Sequence, residues 1–221
     1  MNIAVIPARG GSKRLPGKNT MLLGGIPLIA HSILTAKANS EFIDEVYVST
    51  DDAEIKKVAL SYGAKVIDRP DYLSGDLSPT VTALKHVIEN LGVPVDFVVL
   101  LQPTNPLRPQ NLIAEAFRVL RENQTDSLMT VTRNHQKFGK IKDGIFVPFN
   151  YEIGQRSQDL EPLYFENGLL YITAANLILN EKITGEKPFP MIVHHPFAHL
   201  DIDTQEDFDH ALYIYNKTQI A

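Results

Sequence analysis

Along the 221-residue chain, short apolar runs alternate with longer stretches whose apolar residues recur at helical spacing. Ile3 to Ile6 is one such run, closed by Pro7, and its length and the proline predict a first buried strand rather than a helix fragment. From Ile26 to Ala38 the residues Leu28, Ile29, Ile33 and Ala36 keep helical spacing, and Glu45 to Ser49 predicts a second strand. Thr50-Asp51-Asp52 supplies a helix start, Ile55, Val58, Ala59 and Tyr62 line one face, Gly63 stops the helix, and Ala64 to Ile67 follows as a third strand. After a polar turn-rich loop from Asp68 to Ser78, Val81, Leu84, Ile88 and Leu91 mark another helix, which leads to the clearest buried strand, Asp96 to Leu101. Three prolines between 103 and 109 make the next segment a shaped loop, and Leu112, Ile113, Ala116, Phe117 and Leu120 form the face of the helix after it.

The β-α-β-α-β alternation predicts an α/β fold: a mostly parallel sheet with helices on both faces. From Ser127 the pattern changes to shorter strand-like pieces with glycines at 139, 144 and 154, and no helix is indicated before Ala174. Residues from about 133 to 165 therefore read as an excursion from the main sheet, of a kind that can reach a second subunit. Gly168 to Thr173 and Met191 to His194 read as further strands, and Thr204 as an N-cap with Asp207 at the third helical position, opening a last helix through Leu212 and Ile214. With no repeat and no linker, residues 1–221 are expected to form a single domain.

Composition adds exclusions. The chain lacks cysteine, which removes disulfides, thiolate metal sites and cysteine nucleophiles. Its formal charge of -5 argues against a general nucleic-acid binder. No apolar run approaches ~18 residues, and Met1-Asn2 leads straight into a strand, so the expectation is a cytoplasmic chain with no membrane partner.

Against that acidic background, Arg9, Lys13, Arg14 and Lys18 crowd into one loop with Gly10, Gly11, Gly17 and Ser12. Glycines let backbone N–H groups approach phosphate oxygens, and clustered cations neutralise closely spaced negative charges. The loop is neither a P-loop, since Gly11 and Gly17 enclose five residues and Asn19 follows Lys18, nor a G-x-G-x-x-G turn. Composition alone equally admits a solvated basic loop. At the other end, Asp201 and Asp203 in an extended segment would point their carboxylates to one side, about 6–7 Å apart. Such a pair suits Mg²⁺ completed by phosphate oxygens, with Mn²⁺ as an alternative, and also suits the acidic start of a helix. His194, His195 and His199 match no ligand spacing with a stated mechanism, and no G-x-S-x-G is present.

The loop A-R-G-G-S-K-R-L-P-G-K-N resembles the nucleotide-binding loop of the acylneuraminate (sialic acid) cytidylyltransferases. Four further segments resemble the same family: R-P with Asp76 and Thr80 beyond it, L-L-Q-P-T-N-P-L-R (L-L-Q-P-T-S-P-L-R in the family), N-G-L-L-Y, and D-I-D-T. The resemblance implies a nucleotide-diphospho-sugar transferase type of Rossmann-like sheet and a homodimer made through the excursion. The implied reaction is transfer of CMP from CTP to a nonulosonic acid.

It further implies that Ala8, Arg9, Gly10, Lys13, Lys18, Asn19, Arg69 and Thr80 hold the nucleotide. Gln102, Thr104, Asn167 and Tyr171 would face the sugar, and Asp201 and Asp203 would bind the metal. Lys18, Arg9 and Asp203 are the expected catalytic groups, Asp203 as a proton acceptor. Ser157 departs from the family pattern where a basic residue is often found, which leaves Arg156 or Lys140 as candidates for the sugar carboxylate. R-L-P-G-K also resembles the CMP-Kdo synthetases, which stand as an alternative beside an inactive nucleotide-binding module.

Overall fold

In the computed structural model, which describes residues 1–219, the first apolar run forms β1 (Asn2–Pro7). Its side chains alternate between two cores: Ala4 and Ile6 join one buried cluster, Ile3 and Val5 the other. A strand buried on both faces has to sit inside a sheet covered on both sides, and β1 does. The chain continues through two-residue strands β2 (Leu22–Leu23) and β3 (Ile26–Pro27), helix α1 (Leu28–Lys37), β4 (Glu45–Thr50), α2 (Ala53–Ser61) and β5 (Lys65–Asp68). Then come α3 (Thr80–Leu91), β6 (Phe97–Leu100), α4 (Leu112–Glu122) and β7 (Ser127–Asn134). The remainder is β8 (Gly139–Lys142), β9 (Ile145–Pro148), β10 (Leu163–Ala174), α5 (Ala175–Leu179), β11 (Phe189–Ile192) and α6 (Gln205–Gln219).

The main sheet has the order β11-β7-β10-β6-β1-β4-β5. All its strands run parallel except β10, which is antiparallel to both β6 and β7. Helices α1, α2 and α4 bury Ile29, Ile33, Ile55, Ala59, Ile113 and Phe117 against one face. Helices α3 and α5 bury Val81, Leu84, Val87 and Ile178 against the other. The carboxyl ends of β1, β4 and β6 consequently share one edge, where open α/β sheets bind ligands.

A third, smaller core lies at that edge. Leu15 from the basic loop, Leu107 from the proline loop, Leu200 and Ile202 from the D-I-D segment, and Phe208 and Ala211 from α6 pack together there. It brings remote loops to one place by apolar contact, leaving their polar residues outside.

Several elements differ from the pattern-based reading. The first helix starts at Leu28 because Ile26–Pro27 pairs with Leu22–Leu23, and Pro27 is the extended N-cap residue. The strand expected from Gly168 begins at Leu163, with a register shift between Glu166 and Tyr171 and Gly168 at φ 73°. Helix α5 is five residues long, too short to show a 3.6-residue period. At α6, Thr204 and Asp207 form the expected reciprocal cap: the Asp207 carboxylate accepts from the Thr204 amide at 2.8 Å, and the Asp207 amide donates to the Thr204 hydroxyl at 3.2 Å.

Between β7 and β10 the chain leaves the sheet. Strands β8 and β9 form a separate hairpin, turned at Asp143-Gly144 with both residues at positive φ (50° and 77°).

Candidate active site

The basic loop climbs from β1 across the sheet edge and is tied down at both ends. The Ala8 amide extends the sheet by donating to the Ser49 carbonyl at 2.9 Å. Ala8 is buried, and its amide is engaged by this bond. The Gly10 amide donates to Asp51 at 2.9 Å. A Cβ on Gly10 would lie 2.5 Å from an Asp52 carboxylate oxygen, so the turn passes the start of α2 only as glycine. Asp52 meanwhile caps α2 through the Ile55 amide at 2.9 Å. Asn19 closes the loop by donating from Nδ2 to the Arg9 carbonyl at 3.1 Å.

Lys18 is the buried cation of the loop. Its Nζ donates to the Ile202 carbonyl at 2.9 Å and to Asp203 Oδ1 at 2.8 Å, across 185 residues of chain. Arg14 takes the other oxygen of Asp203. Arg9 pairs with Asp76 Oδ1 at 2.8 Å, and Lys13 takes the second oxygen of Asp76. The Lys13 ammonium, then the Arg9 guanidinium, hold the Asp76 carboxyl below the usual carboxylate range. Four cations thus face two carboxylates around a cavity of about 380 Å³, leaving positive charge for an incoming anion.

Two smaller cavities continue this one, sharing Arg9 with it. One, of about 210 Å³, runs past Gly10, Lys18 and Asn19 toward α2. The other, of about 260 Å³, lies between Arg69, Leu73, Thr80 and Ala83 on one wall and Gln102 and Thr104 on the other. Arg69 is buried, with Nε 3.0 Å from the Ser49 hydroxyl and a terminal nitrogen 2.6 Å from the Ser49 carbonyl. Burial pushes its pKa down, nearby Asp51 opposes this, and Arg9 adds to it. The proline loop is held from behind by Arg108, which donates to the carbonyls of Leu169 (2.6 Å) and Gln102 (3.0 Å) and to the Ser32 hydroxyl (2.9 Å).

In the D-I-D segment burial alternates: Leu200 and Ile202 are in the core, Asp201 and Asp203 outside it. Loss of water around Asp201 raises its carboxyl pKa, the Thr104 hydroxyl opposes this, and the charge of Asp203 adds to it. Two such carboxylates beside a phosphate-sized cationic cavity match the donor set of Mg²⁺, which takes one or two protein carboxylates and leaves the rest to phosphate and water. Among the described residues, no group of three or more His, Asp or Glu is arranged to hold a metal unaided.

The sugar-side residues are divided. Gln102 and Thr104 line the cavity, and Tyr171 anchors Glu166 through its hydroxyl at 2.9 Å. Burial, then that carboxylate, raises the Tyr171 pKa. Asn167 is engaged within the chain: its Nδ2 donates to the Thr132 hydroxyl at 3.0 Å, and its Oδ1 accepts from the Thr130 hydroxyl at 2.6 Å. It is buried between β7 and β10 and does not line the cavities described above. Arg156 is also not brought to this cleft, because it lies exposed on the excursion and pairs with Asp159 at 2.8 Å. Lys140 sits on β8, 5.2 Å over the Phe149 ring.

Arg14, Asp76 and Arg108 were not assigned site roles from sequence, although all three lie inside recognised motifs. Asp203 for Arg14, Arg9 and Lys13 for Asp76, and the Leu169 carbonyl for Arg108 are all more than 60 residues away, so no local spacing announces these contacts.

A doubly covered, mostly parallel sheet with a cation-lined cleft at the carboxyl ends of its strands defines an α/β nucleotide-binding protein of the nucleotidyltransferase type. Its fold is similar to that of a CMP:2-keto-3-deoxy-manno-octonic acid synthetase solved with CTP (TM-score 0.73, 18% identity, 98% of this chain and 99% of that one). It is also similar to 4-diphosphocytidyl-2C-methyl-D-erythritol synthase of Anaerococcus prevotii (TM-score 0.67, 17% identity, 97% and 96%).

The chain belongs to the Cytidylyltransferase family, whose profile matches residues 3–221. It is 37% identical to the CMP-N,N'-diacetyllegionaminic acid synthase of Legionella pneumophila over 93% of this chain and 92% of that protein. It is 34% identical to the pseudaminic acid cytidylyltransferase of Campylobacter jejuni over 97% and 96%. With the N-acylneuraminate cytidylyltransferase of Streptococcus agalactiae the identity is 33%, over 95% of this chain and 52% of that one. Among the described residues no helix is long and apolar enough to cross a membrane.

Proposed function

We propose that this protein transfers CMP from CTP to the anomeric hydroxyl of a nonulosonic acid of the N-acylneuraminate, legionaminate or pseudaminate type, releasing pyrophosphate. The observation that carries this reading is the junction of Lys18 with Asp203, which brings the basic loop and the D-I-D segment to one cavity. The names of the legionaminate, pseudaminate and acylneuraminate relatives support the sugar class.

In this reading the triphosphate lies along Arg9, Lys13 and Lys18, with the base between Arg69 and Thr80. The sugar hydroxyl oxygen attacks the α-phosphorus, the bond from that phosphorus to the bridging oxygen breaks, and pyrophosphate carries the negative charge away. Arg9 and Lys18 stabilise the charge that develops, as preorganised cations do in a water-poor site. Asp203 accepts the hydroxyl proton as Lys18 and Arg14 turn toward the incoming anion. Asp201 and Asp203 would hold Mg²⁺, which supplies Lewis-acid neutralisation of the phosphate oxygens when bound.

We also propose a homodimer formed through the excursion, and a cytoplasmic location where CTP is available. The hairpin β8–β9 exposes Ile141 (79%), Ile145 (67%) and Phe146 (52%). A lone two-stranded hairpin is marginal in water, so apolar residues on it favour a covering partner. Arg156, remote from its own cleft, would then act as a sugar-binding residue only across that interface.

The deciding experiment is pyrophosphate release with CTP, Mg²⁺ and a panel of sialic, legionaminic, pseudaminic and Kdo acids. Turnover with one of the first three is expected. Turnover with Kdo alone defeats the reading, and CTP binding without turnover on any acid identifies a nucleotide-binding module instead.

A further inference from the structure

Asn105 lies in the proline loop between β6 and α4 and is 1% exposed. Its Nδ2 donates to two backbone carbonyls, Asn167 at 3.1 Å and Leu200 at 2.5 Å. Its Oδ1 accepts from the Thr104 hydroxyl at 3.2 Å. Alongside, the Ile202 amide donates to the Thr104 carbonyl at 2.8 Å. The segment 200–202 is therefore joined to 104–105 by a backbone bond and a side-chain bond on either side of Asp201.

One side chain thus bears on three parts of the cleft: Thr104, strand β10 and the segment that carries Asp201 and Asp203. Its seat is specific. Gly168 adopts φ 73°, and a Cβ there would come 2.6 Å from Asn105 Oδ1, so the amide fits only against glycine. Serine, the residue at this place in the loop pattern of the acylneuraminate cytidylyltransferases, has one hydrogen to donate, and Asn105 has two carbonyls to satisfy.

We infer that Asn105 is a positioning residue that holds Asp201 and Asp203 at a set height against the β10 wall of the cleft. It touches neither phosphate nor sugar; it acts through the carbonyl of Leu200. Its catalytic consequence rests on the reading of the cleft as a CMP-transfer site. Arg108 fixes the other end of the same loop independently, so a change at 105 releases the 200–203 segment and leaves Gln102 in place.

Two variants test this. Asn105→Ser keeps one donor, and Asn105→Leu keeps the size with none. The expected order of kcat is native, then Ser, then Leu, with a loss of about tenfold for Ser, the scale of one lost buried hydrogen bond, and KM for CTP within about twofold of native. Amide exchange across 199–204 should quicken in Asn105→Ser by about tenfold, the same loss expressed as local opening, while exchange in β4 and α2 stays native. Native turnover in the similarly shaped Leu variant would show that the side chain only fills space and would overturn the inference. Faster exchange throughout the chain, or none at 199–204, would overturn it equally. If the native protein makes no pyrophosphate from CTP, the functional reading fails, and the exchange measurement still decides the role of Asn105.

Discussion

The cleft and the excursion handle burial in opposite ways. In the cleft, charged side chains are buried, and Lys18, Arg69 and Arg108 each reach at least two acceptors within the chain. In the excursion, apolar side chains are exposed, and Phe138, Phe149, Leu163 and Tyr164 line an open cavity of about 890 Å³. Beside that cavity the Nε of Arg133 is buried without a hydrogen-bond partner. Cations whose acceptors come from the same chain hold the shape of the cleft from within, whereas clustered exposed apolar surface is the kind on which protein–protein contacts form. The contrast separates a region whose buried charges are satisfied internally from one whose apolar side chains are left uncovered.

The sharpest way to break the comparison is at Lys18. Lys18→Met should lower kcat/KM for CTP-dependent pyrophosphate release by about 10²–10³-fold, the cost of losing a preorganised charge-stabilising donor. It should leave the association state unchanged. A loss under threefold would mean that the buried cation serves only the Asp203 contact.

Next in size is the hairpin. Ile141 and Phe146 are direct cross-strand partners, and placing Asp at both should weaken self-association by about 10²-fold, as for two interface anchors. Sedimentation velocity would show it, with CTP affinity retained. Loss of turnover in that dissociated variant, matched by the same loss in Arg156→Ala with association intact, would place Arg156 of the partner at the cleft. Full turnover as a monomer would confine Arg156 to its own excursion.

The smallest effect is expected at the helix that backs the D-I-D segment. The Asp207 carboxyl is held below the usual carboxylate range, chiefly by the Thr204 hydroxyl and then by the amides of Asp203 and Thr204. Asp207→Ala should destabilise the fold by about 1 kcal/mol at neutral pH. A lowered folded-state pKa means that this contribution is complete above the ordinary carboxylate value of about 4 and disappears as pH falls through the lowered one. Thermal melts of the native chain and the variant should therefore converge in acid. A constant gap down to acid pH would assign the loss to packing instead of to the charged cap.

Much of the fold could be read along the chain because it is local. Backbone geometry imposes a period of two on strands and 3.6 on helices, and Pro7, Gly63 and the 103–109 prolines mark where one gives way to the other. The Thr204–Asp207 cap spans three residues, so it shows in sequence as clearly as in structure. Elements too short to repeat their period, such as α5 and the β2–β3 pair, carry no such signal. The extra length of β10 was hidden by Gly168, which reads as a strand boundary and is a bend within the strand.

For the site, the sequence alone supplied the chemistry: a basic glycine loop, two aspartates two residues apart and a proline-stiffened segment. What it could not supply was the pairing. Lys18 and Asp203 meet because Leu15, Leu200 and Ile202 share an apolar core, and that contact exists only once the sheet has brought both loops to one edge. Likewise, Asn167 has the same amide in either role. Whether it faces a sugar or fastens two strands depends on which groups come within about 3 Å, the reach of a hydrogen bond, and Thr130 and Thr132 occupy that distance. The sequence by itself determined which residues can bind anions and where strands and helices alternate. Tertiary structure alone decided which of those residues reach the cleft, because hydrogen bonds and ion pairs depend on positions fixed by distant apolar packing.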